Sequence, residues 1–172
     1  MINFEIDYPS SKYRNYIEAV YNFCKSNGLS MILKGSLAKG TATKFSDIDL
    51  IILGNINSSK VDELISLYGN PVMTNFTENP KGILILVYQD NISVDLDLRE
   101  TISQQDLQDS IVILKYDINF IIDNKEIIRK QVKSEYISNR PEWYKTLRLL
   151  HRGIIKYLSN KTDSAYELLE EI

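Results

Sequence analysis

One stretch, KGSLAKGTATKFSDIDLIIL at residues 34–53, limits this chain more than any other: it sets Asp47 and Asp49 two apart in what otherwise reads as a buried strand. Ionised carboxylates stay out of cores unless they are paired or bound to a metal, since stripping water from an unpaired charge costs several kcal/mol or more. Residues i and i+2 of a strand share a face, so the two carboxylates stand side by side at about 7 Å between Cα atoms. Like charges so placed raise each other's pKa or require a cation. A hard divalent ion such as Mg2+, which prefers carboxylate and phosphate oxygens, meets that requirement. Just upstream, a short apolar run ends in Gly35-Ser36 before a helical turn. Backbone N–H groups at a helix start point outward and the dipole favours negative charge, so this turn reads as a phosphate cradle. Gly35 allows close approach and Ser36 adds a hydroxyl donor. Cradle and carboxylates in one segment describe a site for a nucleotide and a metal.

The elements around this stretch follow from hydrophobic period and punctuation. Tyr13, Tyr16, Ile17, Val20, Tyr21 and Cys24 recur at intervals of three and four, predicting a helix over Ser11 to Ser26 that Asn27-Gly28 ends. Strands are expected over Ser30 to Leu33 and Asp47 to Leu53, one or two helical turns over 36–43, and a helix over Lys60 to Tyr68. Residues 81–100, KGILILVYQDNISVDLDLRE, read as two strands about a tight turn at Gln89-Asp90-Asn91. In the second of these, Ile92, Val94, Leu96 and Leu98 face one way and Ser93, Asp95, Asp97 and Arg99 the other. One more strand lies within 110–122, followed by a helix over Asn124 to Ser138. Pro141 suits the first position of a helix running to about Leu158, and Asp163 the cap of a last short helix to Glu171. The expected organisation is α+β: a mixed sheet flanked by helices through residue 138, then a short C-terminal helical segment over 139–172.

Composition bounds what such a chain does. At 172 residues, the expectation is one domain that buries roughly two-thirds of its unfolded surface. No apolar run approaches the ~20 residues of a membrane span, and the N-terminal MINFEIDYPSSKYRNY lacks a basic region followed by an apolar one. A cytoplasmic address is therefore expected. A net charge of −3 argues against a broad nucleic-acid surface, though not against a local basic groove. Cys24, the single cysteine, reads as a small buried hydrophobe. His151, the single histidine, has no cysteine or second histidine with which to build a zinc site, and reads as a packing or surface residue. Eleven tyrosines without a spacing rule read as packing and surface residues.

The sixteen residues GSLAKGTATKFSDIDL resemble the GSxAxGxAxxxSDxDL signature of the polymerase-beta-like nucleotidyltransferase superfamily, above all its minimal and antibiotic-modifying bacterial branches. Gly35, Ser36, Ala38, Gly40, Ala42, Ser46, Asp47, Asp49 and Leu50 fill every fixed position. The resemblance implies the nucleotidyltransferase fold and a third carboxylate within a hydrophobic-Asp-hydrophobic pattern on a neighbouring strand. Asp95 is the first choice, at the distance from the turn where similar proteins place theirs; Asp97 is the reserve. It also implies that Asp47, Asp49 and Asp95 are catalytic and hold Mg2+, and that Gly35, Ser36, Lys39 and Ser46 bind a nucleoside triphosphate, with ATP as the expected donor. Lys44 also stands near the phosphate turn, although surface lysines are the plainer reading of both Lys39 and Lys44.

The activity implied is transfer of a nucleoside monophosphate to a hydroxyl of a small molecule, of which an aminoglycoside or lincosamide antibiotic is the suggested type. The alternative is a minimal nucleotidyltransferase antitoxin that binds and nucleotidylates a helical protein toxin. The segment after Pro141 is shorter than the helical substrate domain of the antibiotic-modifying relatives, and the whole chain is longer than many minimal members. A homodimer that completes the acceptor pocket is therefore expected. In PEWYKTLRLLHR and beyond, Trp143, Tyr144, Leu147, Leu150 and Ile154 mark a helix face expected to pack into the core, with an acceptor pocket or a subunit contact as the other readings.

Overall fold

The computed structural model describes residues 5–76, 83–116 and 141–172. Helix α1 (Ser11–Asn27) closes on Gly28, whose φ of +65° lets its N–H reach the Cys24 carbonyl. Strand β1 (Ser30–Lys34) leads directly into helix α2 (Gly35–Ala38), one of the one or two turns expected over 36–43, begun a residue earlier. Strand β2 (Ile48–Leu53) follows, then helix α3 (Ser58–Ser66). α3 starts two residues before the expected Lys60 because the Asn57 side chain caps it, accepting from the Lys60 N–H at 3.0 Å.

Strands β3 (Met73–Phe76), β4 (Leu84–Val87), β5 (Ser93–Arg99) and β6 (Ile111–Leu114) complete a six-stranded sheet of order β3-β4-β5-β2-β1-β6. The β4–β5 turn falls where expected, with Asn91 at φ +65°. β3 has no counterpart in the sequence reading: MTNF carries no alternation, and pairing to β4 at the sheet edge makes it a strand. All neighbouring pairs are antiparallel except β2 and β5, which run parallel at the centre.

The two faces of the sheet differ in chemistry. On one, Leu33, Leu50, Ile52, Val94, Leu96 and Leu98 pack against Tyr16, Ile17 and Val20 of α1 and Leu64 of α3 in the main core. At about 1.5–3 kcal/mol for each large apolar side chain buried, this face dominates the stability. Tyr68 meets Tyr16 and Tyr88 there edge to face and Tyr16 is tilted against Tyr88, with ring centroids 5.4–5.7 Å apart. Cys24 is buried, as expected, and burial pushes its thiol up to about 12. The other face carries a smaller cluster of Ile32, Ile51, Leu53 and Ile102, and beside it Asp49, Asp95, Asp97 and Arg99.

The C-terminal segment contributes helices α4 (Glu142–Leu158) and α5 (Thr162–Glu170), which approach each other where Gly153 meets Ala165 and Leu169. Both starts correct the sequence reading. Pro141 stands at the cap of α4 rather than its first helical position, and Asp163 lies inside the first turn of α5, with Lys161 in the cap position. An acid one residue inside still favours the helix through the dipole. Among the five residues of the expected packing face of α4, only Tyr144 is buried. Its hydroxyl donates to the Thr74 carbonyl and accepts from the Thr74 N–H, tying α4 to β3. Trp143, Leu147, Leu150 and Ile154 are 63%, 47%, 42% and 50% exposed, and the helix packs instead through Leu149 and Gly153. The helix expected over 124–138, and the boundary at 138, lie outside the described residues. Among the described residues no helix is long and apolar enough to cross a membrane.

Candidate active site

The Gly35 turn is shaped by what lies opposite it. Gly35 has φ +68°, and a Cβ built on it would stand 1.9 Å from Asp49 Oδ2 and 2.8 Å from Asp49 Cγ. The carboxylate of Asp49 thus occupies the space that a side chain at residue 35 would need, and glycine is required there on two counts. Asp49 reaches this place because β2 pairs antiparallel with β1, setting Asp49 opposite Lys34. On its other side β2 pairs parallel with β5, and Asp49 is the register partner of Asp95. Adjacent strands lie about 4.8 Å apart, so these carboxylates are neighbours by construction.

Asp47 precedes β2 at the end of a loop held by Ser46. The Ser46 hydroxyl accepts from the Thr43 N–H at 2.9 Å, and its carbonyl accepts from the Tyr13 hydroxyl at 2.9 Å. Gly35, Ser36, Ser46, Asp47, Asp49 and Asp95 all line one cavity of about 300 Å3. Gly35, Asp49 and Asp95 also border a second cavity of about 230 Å3, which runs on over the sheet toward Lys34, Asp97, Arg99 and Asp106. Two of the residues proposed from sequence lie differently. Lys39 is exposed, pairs with Asp109 at 3.1 Å and lines neither cavity. Lys44 rests its ammonium over the Phe45 ring, 5.0 Å from the centroid.

Asp95 and Asp97 share a face and differ in their partners. Asp97 is ion-paired with Arg99 at 2.6 Å, and Arg99 also holds Asp106 at 2.5 Å. Burial alone would raise the Asp106 carboxyl, but hydrogen bonds from Arg99 and Ser103 outweigh it and bring it down to about 2. Asp95 has no ion pair among the described residues. Burial first, then the charges of Asp47 and Asp49, push its carboxyl up to about 7, against the pull of Arg152 and Lys156. Burial and Asp47 also raise Asp49, opposed by Lys156, Lys161 and Lys34.

The basic residues that face the carboxylates come from the C-terminal segment. Arg152, Lys156 and Lys161 line the 300 Å3 cavity, and Lys156 Nζ is 3.9 Å from Asp47 Oδ2. The sequence reading held Arg152 only as part of the cluster PEWYKTLRLLHR, with an acceptor pocket as one of its readings, and missed Lys156 and Lys161. Their signal was the i, i+4 spacing of Arg152 and Lys156 on one side of α4, away from the apolar stripe. His151 is half-buried, and burial lowers its pKa, with Asp47 opposing and Arg152 adding to the effect.

Among the described residues no three acidic, imidazole or thiolate groups converge into a ready-made metal cage. The donor chemistry nevertheless fits a hard divalent cation: carboxylates only, two of them raised by burial and mutual repulsion, all on one cavity. Asp47, Asp49 and Asp95 are the groups that would hold it.

The chain that folds into this sheet and cavity is a nucleotidyltransferase domain. Residues 17–143 match the family model of the nucleotidyltransferase domain, and the chain belongs to that family. Among solved structures it is similar to a cytoplasmic RNA terminal U-transferase, at 21% identity over 55% of this chain and 31% of that one, with a TM-score of 0.39. It is also similar to Cid1 in complex with the UTP analogue UMPNPP, at 21% identity over 55% of this chain and 30% of that one, with a TM-score of 0.37. A third is the Thermotoga maritima CCA-adding enzyme complexed with tRNA, at 13% identity over 98% of this chain and 47% of that one, with a TM-score of 0.39. The chain spans less than half the length of each of these three. No curated protein matches it significantly.

Proposed function

We propose that this chain transfers a nucleoside monophosphate, AMP from ATP, to a hydroxyl of a small-molecule acceptor such as an aminoglycoside or lincosamide antibiotic. The observation that carries this reading is the pairing of Asp49 with Asp95 across β2 and β5, on a cavity shared with Asp47 and the Gly35-Ser36 turn. In this reading the triphosphate tail lies between that turn and the basic wall of Arg152, Lys156 and Lys161, with Ser36 donating its hydroxyl to a phosphate oxygen. Asp47, Asp49 and Asp95 would hold Mg2+, which would neutralise the phosphates and the departing pyrophosphate. The acceptor oxygen attacks the α-phosphorus in line, the bond from that phosphorus to the bridging oxygen breaks, and pyrophosphate leaves. Asp95 takes the hydroxyl proton. A carboxylate within hydrogen-bond reach of the acceptor hydroxyl can serve as that base.

The test is incubation with labelled ATP, GTP, CTP and UTP, Mg2+ and a panel of acceptors. Asp47→Asn and Asp49→Asn should each abolish transfer, and pyrophosphate release that survives Asp49→Asn would refute the assignment.

The exposed stripe of Trp143, Leu147, Leu150 and Ile154 favours a second reading, a minimal nucleotidyltransferase antitoxin whose partner is a helical protein toxin. Labelled nucleotide appearing on a co-purified protein instead of on small acceptors would select it. A homodimer that closes the acceptor pocket is the third use of the same stripe, and the size of the protein in solution checks it.

A further inference from the structure

The cavity that takes the triphosphate in the reading above contains its own cations. Asp47, Asp49 and Asp95 face Arg152, Lys156 and Lys161 across it, three acids against three bases. Only one of the three cations makes an ion pair with a carboxylate of the set: Lys156 Nζ stands 3.9 Å from Asp47 Oδ2, with the two side chains 23% and 19% exposed. No other ion pair forms at Asp47, Asp49 or Asp95 among the described residues. The ammonium therefore serves a carboxylate that the proposed function gives to the metal.

We propose that Lys156 is a positioning residue with two stations. Without nucleotide it is the counter-ion of Asp47; when a triphosphate arrives it moves to the phosphates and yields Asp47 to the divalent ion. The consequence is an order of binding, in which the metal loads together with nucleotide and not before it. This rests on the nucleotide site proposed above. The physical reason is charge. A divalent ion entering alone adds positive charge to a cavity already lined by three cations and leaves the ammonium of Lys156 beside it with no new partner, which is repulsive in a partly desolvated site. A triphosphate entering with the ion supplies negative oxygens within the same cavity, to which a flexible four-carbon lysine stem can swing. The long reach and rotatable donors of lysine suit this exchange better than the rigid fork of arginine.

The test reads metal binding and needs no acceptor. Free Mn2+ is measured by its paramagnetic resonance signal in titrations of the full chain, with and without a non-hydrolysable ATP analogue, each read against the same titration without protein because the analogue itself binds Mn2+. The set is wild type, Lys156→Gln, Lys156→Met, Lys156→Arg and Lys161→Gln. Wild type is expected to bind Mn2+ weakly alone and at least about tenfold more tightly with the analogue. Lys156→Gln and Lys156→Met should tighten nucleotide-free Mn2+ binding about tenfold and shrink the gain from the analogue, because a neutral side chain no longer competes at Asp47. Lys156→Arg, which keeps the charge, should stay weak without nucleotide. Lys161→Gln should change nucleotide-free binding by less than threefold, since Lys161 makes no ion pair with Asp47.

If both neutral variants match wild type within twofold without nucleotide while the analogue still helps all of them, the two-station role is overturned and the nucleotide site stands. An equal gain from Lys161→Gln would also overturn it, in favour of a diffuse charge effect. Failure of every protein to bind Mn2+ even with the analogue would overturn the function on which the inference rests.

Discussion

Gly35 and Gly40 have nearly the same backbone conformation, φ +68° and +67°, and differ in what a side chain would meet. At Gly40 nothing lies within 4 Å of a built Cβ; at Gly35 the carboxylate of Asp49 lies 1.9–3.3 Å away, measured to Oδ2, Cγ and Cβ. Alanine at either position bears the left-handed strain, about 1–2 kcal/mol for an L-residue. Gly40→Ala should stop there, lowering the melting temperature by about 2–6 °C in a chain of this size. Gly35→Ala bears the same strain and must also displace Asp49. Turning the carboxylate about its own bond does not help, because Cγ itself is 2.8 Å away, so the whole side chain or the strand has to shift. Overpacking of this kind adds about 1–3 kcal/mol. A misplaced carboxylate costs more in function than in stability: a shift of about 1 Å in a reacting constellation is worth roughly a hundredfold in rate. The assay pairs thermal melts of both variants with nucleotide-dependent pyrophosphate release and Mn2+ binding. Gly40→Ala should keep both activities within about threefold, and Gly35→Ala should lose at least about a hundredfold. If the two variants lose activity equally, the contact between residue 35 and Asp49 does not set the site and the reasoning fails.

The remaining predictions separate structural from functional acids. Asp95→Asn should abolish transfer yet flatten the pH dependence of stability. Because the native carboxyl titrates at about 7 instead of 3.8, metal-free wild type should lose stability as pH rises from about 4 through 7, and melts with chelator at pH 5 and 8 check both proteins. Asp97→Asn should instead weaken the grip on buried Arg99 and destabilise by about 1–3 kcal/mol, seen as a lower midpoint in urea. The opposite sign holds for Asp106: with its carboxyl at about 2, its contribution is present above pH 3.8 and lost as pH falls through 2, of order 1 kcal/mol after solvent screening. Acid melts of wild type and Asp106→Asn should converge at low pH. Tyr144→Phe removes the tie between α4 and Thr74 and should cost about 1–2 kcal/mol in the same melts.

Where the sequence read well, the governing contacts were local. Helix α1 and its glycine stop, strands β1 and β2 and the β4–β5 hairpin follow from period and turn chemistry within a dozen residues. The face shared by Asp95, Asp97 and Arg99 follows from strand alternation, and the pairing of Arg99 with Asp106 had to wait for the two to be seen together. What escaped the reading is non-local. Lys156 reaches Asp47 from more than a hundred residues away, and no pattern in either segment announces the pairing. β3 is a strand because β4 offers it an edge, not because MTNF prefers one. The apolar stripe of α4 has the spacing of a packed face, yet Trp143, Leu147, Leu150 and Ile154 stay exposed while Leu149, off that stripe, is buried. Periodicity tells which residues share a side of a helix, and packing decides which side turns inward.

The parallel register of β2 and β5 also says where this chain can vary in length. Asp49 and Asp95 are aligned by the hydrogen-bond ladder between two central strands, not by the residues that join them. Loops can grow or shrink between Gly54 and Ile92 without moving either carboxylate, because the ladder re-forms in the same alignment whatever its connection. One residue inserted between Ile48 and Leu50 acts otherwise: every side chain of the strand beyond it turns over, and Leu50 would be carried from the core to the face where Asp49 now points. Natural or engineered relatives should therefore show their length differences in the crossover and almost none in these two strands.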